Sequence, residues 1–219
     1  METTPYILKE FKAFTPNTSI GDVKSFFEET TFSHFPVIEM NAFLGMISEA
    51  DIEGLDNLNA TLNDYQYLLN HFSVEVHNNI LSILELFAIN NTNVIAVLNK
   101  NSEYVGYYDL IDVLHTFNNT TFFKSEGEIL LIEKAVKDYS ISEVCQIIES
   151  NKGAVLGVYI TENDGVTAKM TVKFSSNDVN EIIQSLRRYN YTILTNHEED
   201  FLLEDLKNRS DYLQKYLDI

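Results

Sequence analysis

The first half of the chain repeats itself, because apolar residues recur along it at a constant offset of 60 residues. One extra residue in a connecting turn raises the offset to 61, and each copy then carries a glycine followed six residues later by an aspartate. A unit this small buries little apolar surface alone and gains a core by packing on its copy, so the repeat predicts an internal duplication. The matching pairs are Ile20 and Ile80, Val23 and Ile83, Phe27 and Phe87, Val37 and Val97, Gly45 and Gly106, and Asp51 and Asp112.

Each copy has the pattern of a helix, two strands and a second helix. Ser19 and Asn79 precede apolar residues at helical spacing, so each is expected to be the N-cap of a first helix. Two short apolar runs joined by polar turn residues then predict a β-hairpin in each copy. The strands are expected at residues 35–38 and 43–47, and again at 94–98 and 104–108, with closing helices at 49–55 and 110–117.

The hairpin ends resemble a known family. The segments FPVI at residues 35–38 and LGMISEADI at residues 44–52 resemble the CBS domain, named after cystathionine β-synthase, and VGYYDLIDV at residues 105–113 resembles it again. The resemblance implies a tandem pair, with a first CBS repeat at residues 1–61 and a second at residues 62–118, packed into one disc with clefts between the copies. Clefts of this family commonly hold adenosine nucleotides, so AMP, ATP or another adenosine ligand is the implied ligand.

The same resemblance implies roles for individual residues. It places Ser48 near the phosphate and Asp51 on the ribose hydroxyls of a ligand in copy one. Residues that lead into the first strand border the adenine in this family, so His34 and Phe35 are candidates to contact the base. Asp112 occupies in copy two the position that Asp51 has in copy one, and it completes the set of candidate ligand-binding residues.

The chemistry of this spacing is reasonable in copy one and poor in copy two. A hydroxyl in a first helical turn can hold a phosphate, and a carboxylate one turn on can accept two hydrogen bonds from a ribose diol. In copy two Asp109 replaces Ser48, which places a second carboxylate beside Asp112, and the two repel an incoming phosphate unless a divalent cation bridges them. The alternative is that Asp51 and Asp112 only start the closing helices, and this is the preferred interpretation for Asp112.

The last third has a different order of elements, βαββαβ, which is the ferredoxin-like arrangement. Strands are expected at residues 129–132, which are all apolar and predict a buried strand, and at residues 154–161, 169–174 and 191–194. Helices are expected behind Ser140, which forms a capping box with Glu143, and behind Asp178. The expected fold class is therefore α/β of the α+β type. After a linker at residues 119–127, the segment 128–196 resembles the ACT domain, a regulatory fold that often binds amino acids, and the whole order is similar to CBS proteins of the acetoin-utilisation B type.

The turn after the first strand of this module, at residues 137–140, lacks the glycine usual at ACT ligand sites. The resemblance therefore implies a dimerising role rather than amino-acid binding. Residues 197–219 are expected to form a C-terminal amphipathic helix that packs on its own chain or on a sister subunit. The exposed closing helices of a CBS disc add a further self-complementary surface, so a homodimer is expected.

Composition limits the function. A net charge of -18 argues against partners with a phosphate backbone or an anionic membrane surface, so neither nucleic acid nor a membrane is expected. Catalytic and metal-binding motifs are absent from the sequence, and so is the pattern of a signal peptide, which predicts a cytoplasmic non-enzyme without a covalent cofactor. The sequence thus predicts a regulatory sensor that binds an adenosine ligand in a CBS cleft. The alternative is a ligand-free scaffold that acts through protein contacts.

Overall fold

The structure is a computed structural model that describes residues 6–195. Its contacts divide the chain into two compact units, Met1–Phe117 and Asn118–Ile219, both of mixed α and β structure. The first unit contains α1 (Ile20–Glu29), β1 (His34–Glu39), β2 (Ala42–Ser48), α2 (Glu49–Glu53), a 3-10 helix (Leu62–Leu68), β3 (Val74–Glu75), α3 (Ile80–Ile89), β4 (Val94–Leu98), β5 (Tyr104–Asp109) and α4 (Leu110–Asn118). The second contains α5 (Thr121–Lys124), β6 (Glu128–Ala135), α6 (Ile141–Ser150), β7 (Ala154–Asn163), β8 (Thr167–Ser175), α7 (Val179–Arg188) and β9 (Thr192–Ile193).

The two copies of the first unit begin with equivalent caps, as predicted. The Oγ of Ser19 accepts a hydrogen bond from the backbone N–H of Asp22 at 3.1 Å, and the Oδ1 of Asn79 accepts one from Ser82 at 3.0 Å. Each bond satisfies one of the backbone donors left free at a helix start. The predicted helix, hairpin and closing helix therefore follow in both copies.

Both hairpins contain a shift in strand register, at equivalent positions. β1 pairs with β2 and β4 pairs with β5, both antiparallel, and the register shifts between Val37 and Ile38 and again between Val97 and Leu98. Gly45 lies opposite the first shift and Gly106 opposite the second. Because a bulge bends a strand and increases its twist, the shared shift gives both hairpins the same curvature.

Short extended segments before each first helix were missed by the sequence analysis. Phe14 forms a parallel bridge to Val37 in copy one, and β3 pairs parallel with β4 in copy two through Val74 and Val97. A few residues earlier, the same segments cross to the other copy. Leu8 bridges Tyr107 and Asn70 bridges Met46, both antiparallel.

This crossing explains why positions 45 and 106 are both glycine. A Cβ on Gly106 would come within 2.5 Å of both the Leu8 carbonyl oxygen and the Ile7 Cγ2 atom, and a Cβ on Gly45 would come within 2.8 Å of the Leu69 Cβ atom. Both glycines also have a positive φ, of 151° and 155°, that other residues rarely adopt. The glycines therefore permit the close approach by which each copy supports the other.

The copies meet at two positions that correspond to each other, Ser33 and Asn93. The Asn93 Oδ1 atom accepts hydrogen bonds from the Ser33 N–H at 2.8 Å and from the Ser33 hydroxyl at 3.0 Å. In return, the Asn93 N–H donates to the Ser33 Oγ at 3.1 Å, and the Asn93 amide donates to the carbonyl of Thr31 at 2.6 Å. These bonds lock the starts of β1 and β4 side by side around a local two-fold relation.

The second unit has the ferredoxin-like arrangement that the sequence predicts. Its sheet has the order β7-β8-β6-β9 with antiparallel pairing throughout, and α6 and α7 supply the apolar core on one face. One detail is corrected. Residues 129–132 were expected to be a buried strand, but Leu130 and Ile132 are buried whereas Ile129 is exposed. The strand alternates because helices cover only one face of this sheet.

Polar contacts of α6 also differ from the predicted capping box. Ser140 caps the helix by accepting from the Glu143 N–H, as expected. The Glu143 carboxylate, however, accepts from the Lys134 ammonium and the Tyr191 hydroxyl, each at 2.7 Å, instead of returning to the cap. The bond to Lys134 is the main cause that lowers the pKa of Glu143, while burial raises the pKa of Tyr191 to about 12.

The predicted linker at residues 119–127 contains the short helix α5. The Phe122 ring packs where a Cβ on Gly157 would lie and makes an edge contact with Tyr159, so apolar burial explains why this segment is ordered. The predicted C-terminal helix at residues 197–219 lies outside the described residues.

Candidate functional site

The candidate residues of copy one converge at the open end of its hairpin. His34 is the first residue of β1 and Ser48 the last of β2, and the two are direct partners across the strand pair. The chain then turns into α2, where the Glu49 N–H donates to the Ser33 carbonyl at 2.9 Å. This turn brings Asp51 close enough for its charge to act on the His34 ring.

Ser48 is the N-cap of α2. Its Oγ accepts from the Asp51 N–H at 3.0 Å and donates to the Asp51 Oδ2 at 2.7 Å, and the residue is only 5% exposed. The hydroxyl is therefore occupied within the chain. The helix behind it has five residues, so its dipole offers little stabilisation to a phosphate.

Asp51 is exposed, and one carboxylate oxygen carries the bond to Ser48. A carboxylate has room for about four hydrogen bonds, so most of its acceptor capacity remains open to a ligand. Its negative charge favours protonation of His34, but burial of the imidazole outweighs this effect and lowers the pKa of His34 below its usual value.

The Phe72 ring lies beside His34 at the open end of the copy-one hairpin. Its ring makes an edge contact with the His34 imidazole, with centroids 5.5 Å apart and an interplanar angle of 72°. The imidazole Nδ1 lies 3.0 Å from the Ser33 hydroxyl, which fixes the other side of the ring. The sequence analysis missed Phe72 because it belongs to the crossing segment, and an aromatic residue just before β3 was the one available signal.

The Phe35 side chain does not reach the surface at the open end of the hairpin. Its side chain is 0% exposed and packs inside an aromatic cluster, where it stacks on Phe32 at 5.5 Å and contacts Phe14, Phe26 and Tyr107. A ligand at the hairpin end can meet Phe35 only through its backbone. Phe35 therefore shapes the site by supporting β1.

Copy two places different chemistry at the equivalent edge. Val94 is the strand partner of Asp109, so an apolar side chain stands where copy one has His34. The Asp109 Oδ1 accepts from the Ile111 N–H at 2.7 Å and lies 3.4 Å from the Asp112 N–H, which makes Asp109 a cap like Ser48. Asp112 is half-buried in the first turn of α4. Asp109 and Asp112 thus bring two carboxylates to the start of α4, whereas copy one has Ser48 and Asp51 at the start of α2.

Several carboxylates near this end of copy two also act on Tyr107. Burial raises the pKa of its hydroxyl, and the carboxylates of Glu10, Asp109 and Asp112 raise it further. An anionic ligand would meet the same field at this edge.

Two grooves of the same unit lie between helices at equivalent positions. The groove between α1 and α2 has a volume of about 240 Å³ and charged walls that include Lys24, Glu28, Glu49 and Glu53. The groove between α3 and α4 has a volume of about 540 Å³, and its walls combine the apolar Leu84, Phe87, Ala88 and Leu110 with the polar Ser33, Asn91, Thr92 and Asn93. Charged side chains therefore line the groove of copy one, whereas uncharged side chains line the groove of copy two.

Within residues 6–195, no group of three or more histidine, cysteine, aspartate or glutamate side chains is arranged to hold a metal ion. The helices of the same described part are all too short or too polar to cross a lipid bilayer.

A comparison with protein families identifies the segment that carries the candidate site. Residues 6–54 match the CBS domain. The matched CBS segment includes His34, Phe35, Ser48 and Asp51, and it ends before copy two begins. No curated protein matches the chain.

Solved structures similar to this chain include several that contain CBS domains. A CBS domain pair/ACT domain protein from Thermotoga maritima is 18% identical, with a TM-score of 0.48, over 53% of this chain and 96% of that one. The CBS domains of a transcriptional regulator from Streptococcus pneumoniae are 16% identical, with a TM-score of 0.46, over 52% and 98%. CBSX2 in complex with AMP is 17% identical, with a TM-score of 0.43, over 53% and 95%.

Proposed function

We propose that this chain is a non-enzymatic, cytoplasmic sensor that binds one adenosine-containing ligand at the hairpin end of copy one and acts as a homodimer. The observation that carries the proposal is the convergence of His34, Asp51 and Phe72 on one edge, together with its loss in copy two, where Val94 replaces the histidine. The CBS match over residues 6–54 supports the regulatory class.

Each of the three residues has a role that its chemistry allows. The open acceptor positions of Asp51 suit the two hydroxyls of a ribose, which a carboxylate binds as a pair of charge-assisted hydrogen bonds. The edge-to-face pair of His34 and Phe72 presents apolar ring surface on which a purine can stack. Ser48 acts through Asp51, because its hydroxyl holds the carboxylate in place.

The site favours the nucleoside over the phosphates. The side chains at this edge, from Ser33, His34, Ser48, Asp51 and Phe72, carry no permanent positive charge, and burial keeps the pKa of His34 low. The whole chain has a net charge of -18, which opposes each added phosphate. Adenosine and AMP should therefore bind with similar affinity, and ATP more weakly.

Titration calorimetry with adenosine, AMP and ATP tests this proposal. The wild-type chain should bind adenosine and AMP within about tenfold of each other, and Asp51→Ala should weaken both by about 10- to 150-fold, the loss of about 1.5 to 3 kcal/mol in charge-assisted hydrogen bonds. Asp112→Ala is the matched control, because it removes the equivalent carboxylate from copy two, and it should leave the affinity unchanged.

Three results would contradict the proposal. Unchanged affinity in Asp51→Ala would remove the ribose assignment, and reduced affinity in Asp112→Ala would move the site to copy two. An ATP affinity at least tenfold above that of adenosine would mean that phosphate contacts, and not the nucleoside, supply the binding energy.

The second candidate function is a ligand-free scaffold. It is favoured by one observation, the occupied state of both caps: the Ser48 hydroxyl and the Asp109 carboxylate already bond within their own turns. In that case the second unit, which we propose to be ACT-like, contributes to assembly and not to ligand binding. Absence of heat and of any shift in melting temperature with millimolar adenosine, while the chain still dimerises, would favour the scaffold.

A further inference from the structure

The hydrogen bonds that join Ser33 to Asn93 extend to the ring of His34. The Ser33 hydroxyl lies 3.0 Å from the His34 Nδ1 atom and 3.0 Å from the Asn93 Oδ1 atom. A third acceptor, the Thr92 Oγ1 atom, is farther away at 3.4 Å. A serine hydroxyl has one hydrogen to donate and two lone pairs that accept. The direction of each bond in this network therefore decides which nitrogen of His34 carries the proton.

Two backbone groups fix the orientation of the Asn93 amide. Its Oδ1 atom accepts from the backbone N–H of Ser33 at 2.8 Å, and its Nδ2 atom donates to the carbonyl of Thr31 at 2.6 Å. A backbone N–H only donates and a carbonyl only accepts, so the opposite orientation of the amide would lose both bonds. The Asn93 oxygen therefore faces the Ser33 hydroxyl as an acceptor.

The hydroxyl hydrogen of Ser33 belongs between these two oxygens. At 3.0 Å the Ser33 Oγ and the Asn93 Oδ1 are at hydrogen-bond distance, whereas without a hydrogen between them their lone pairs repel. The Ser33 Oγ also accepts from the Asn93 backbone N–H at 3.1 Å, which leaves it one lone pair. The His34 Nδ1 atom can use this lone pair only as an N–H donor. If Ser33 instead donated to Nδ1, the bond to the Asn93 Oδ1 would be lost.

A neutral imidazole with its proton on Nδ1 has an acceptor lone pair on Nε2. Burial lowers the pKa of His34, which favours this neutral ring at neutral pH. Among residues 6–195, no group forms a hydrogen bond with the Nε2 atom, and the side chain is only half-buried. The carboxylate of Asp51 is an acceptor too. This end of the hairpin therefore requires hydrogen-bond donors from its ligand.

We propose that Asn93 of copy two, acting through Ser33, holds His34 protonated at Nδ1, and that the free Nε2 atom selects a 6-aminopurine over a 6-oxopurine. The inference rests on the ligand site of the proposed function and adds the group of the base that the site recognises. The exocyclic amine of adenine donates to an acceptor, whereas the O6 atom of hypoxanthine or guanine brings a lone pair against a lone pair. Copy two lacks this selection, because Val94 replaces the histidine.

The angle between the His34 and Phe72 rings fits this role. Because the two planes are 72° apart, a flat base that stacks on Phe72 cannot also stack on the imidazole. Such a base meets the imidazole with its edge, which is where a purine carries its 6-substituent. Stacking on Phe72 and a hydrogen bond to His34 are therefore compatible in one bound purine.

Nitrogen NMR of the unliganded full chain tests the tautomer. In proton–nitrogen correlation spectra at about pH 8, well above the usual histidine pKa, His34 should show a protonated Nδ1 and an unprotonated Nε2. Asn93→Ala removes the acceptor of the Ser33 hydroxyl, so this hydroxyl should donate to Nδ1 and move the proton to Nε2. The exposed His71, His77 and His115 are internal references whose spectra should not change.

Asn79→Ala is the matched control, because this asparagine caps α3 through Ser82. It should leave His34 protonated at Nδ1. If Asn93→Ala does not fold, Ser33→Ala takes its place, and His34 should then show a mixture of both tautomers because Nδ1 has lost its oxygen partner. A wild-type ring protonated at Nε2, or a ring that stays protonated at Nδ1 in the network variant, would overturn the role of Asn93 as a positioning residue.

Calorimetry with adenosine, inosine and purine riboside tests the selectivity. Inosine should bind the wild type about 10- to 100-fold more weakly than adenosine, and purine riboside, which lacks a 6-substituent, should lie between them. The same network variant should lose the preference for adenosine over inosine. Equal wild-type affinities for adenosine and inosine would overturn the selectivity. If none of the three nucleosides binds, the proposed function fails and the selectivity with it, whereas the NMR result still decides the role of Asn93.

Discussion

The two copies of the repeat share one backbone plan and differ in their surfaces. Caps, hairpin shifts, crossing segments and motif glycines occur at equivalent positions in both. The hairpin end is polar and aromatic in copy one, around His34 and Asp51, whereas Val94 and Asp109 occupy it in copy two. The groove between the two helices is lined by charged residues in copy one and by uncharged residues in copy two.

This contrast separates what the fold requires from what is free to serve function. Positions that are equivalent and similar, such as Gly45 and Gly106, are those where the backbones of the copies cross. The fold does not determine the residue type at positions that are equivalent but dissimilar, such as Glu53 and Leu114. We infer that only copy one is specialised for a ligand.

The largest expected effect concerns the crossing points. Gly106→Ala should lower the free energy of unfolding by about 4 kcal/mol, because a positive φ and a collision with the Leu8 backbone oxygen at 2.5 Å add together. Gly45→Ala should cost about 2 to 3 kcal/mol, since the nearest backbone oxygen, that of Asn70, lies at 3.2 Å. Urea unfolding of the full chain measures both.

Gly54→Ala is the control, because nothing lies within 4 Å of its Cβ position and its φ is negative. It should change stability by less than about 0.5 kcal/mol. If all three glycine variants unfold at the same urea concentration, the crossing segments do not bind the copies together as described.

A smaller effect is expected at the junction of the copies. Asn93→Ala removes the acceptor of the Ser33 N–H and the donor to the Thr31 carbonyl, so it should cost about 2 to 3 kcal/mol. Ser33→Ala takes the hydroxyl partner from the Asn93 N–H and from His34 Nδ1, but Asn93 Oδ1 keeps its bond from the backbone N–H of residue 33, so the change should cost about 1 to 2 kcal/mol. The same urea experiment would contradict the account if Ser33→Ala proved the more harmful change.

The smallest effect concerns His34, whose ionisable ring has Val94 as its counterpart in copy two. Burial lowers the pKa of His34, so the unfolded chain takes up a proton below pH of about 6.5 more readily than the folded chain does. Wild-type stability should therefore fall relative to His34→Gln as the pH is lowered from 7.5 to 5.5, and the two should run parallel above pH 7. If wild-type stability instead rises relative to His34→Gln as the pH is lowered, the charge of Asp51, and not burial, controls the pKa of His34.

The fold was largely predictable because it follows from local signals that repeat. Caps at Ser19, Asn79 and Asp178 and the order βαββαβ are confirmed, since capping and periodicity act over a few residues. The crossing segments at Leu8 and Asn70 were not predictable from periodicity, because isolated bridges leave no alternating pattern.

The candidate site was only partly predictable for a related reason. His34, Ser48 and Asp51 belong to one hairpin and its following helix, so their proximity follows from sequence spacing. Phe72 reaches the site through a tertiary crossing, and the occupation of the Ser48 hydroxyl by Asp51 depends on a rotamer. Neither effect is encoded in spacing alone.

The number of AMP molecules bound per chain tests most directly the division of roles between the copies. Calorimetric titration of the full chain, without divalent metal, should give one AMP per chain, and Asp51→Ala should weaken that binding by about 10- to 150-fold while Asp112→Ala leaves it unchanged. Two equivalent sites per chain, or one site abolished by Asp112→Ala, would contradict the account.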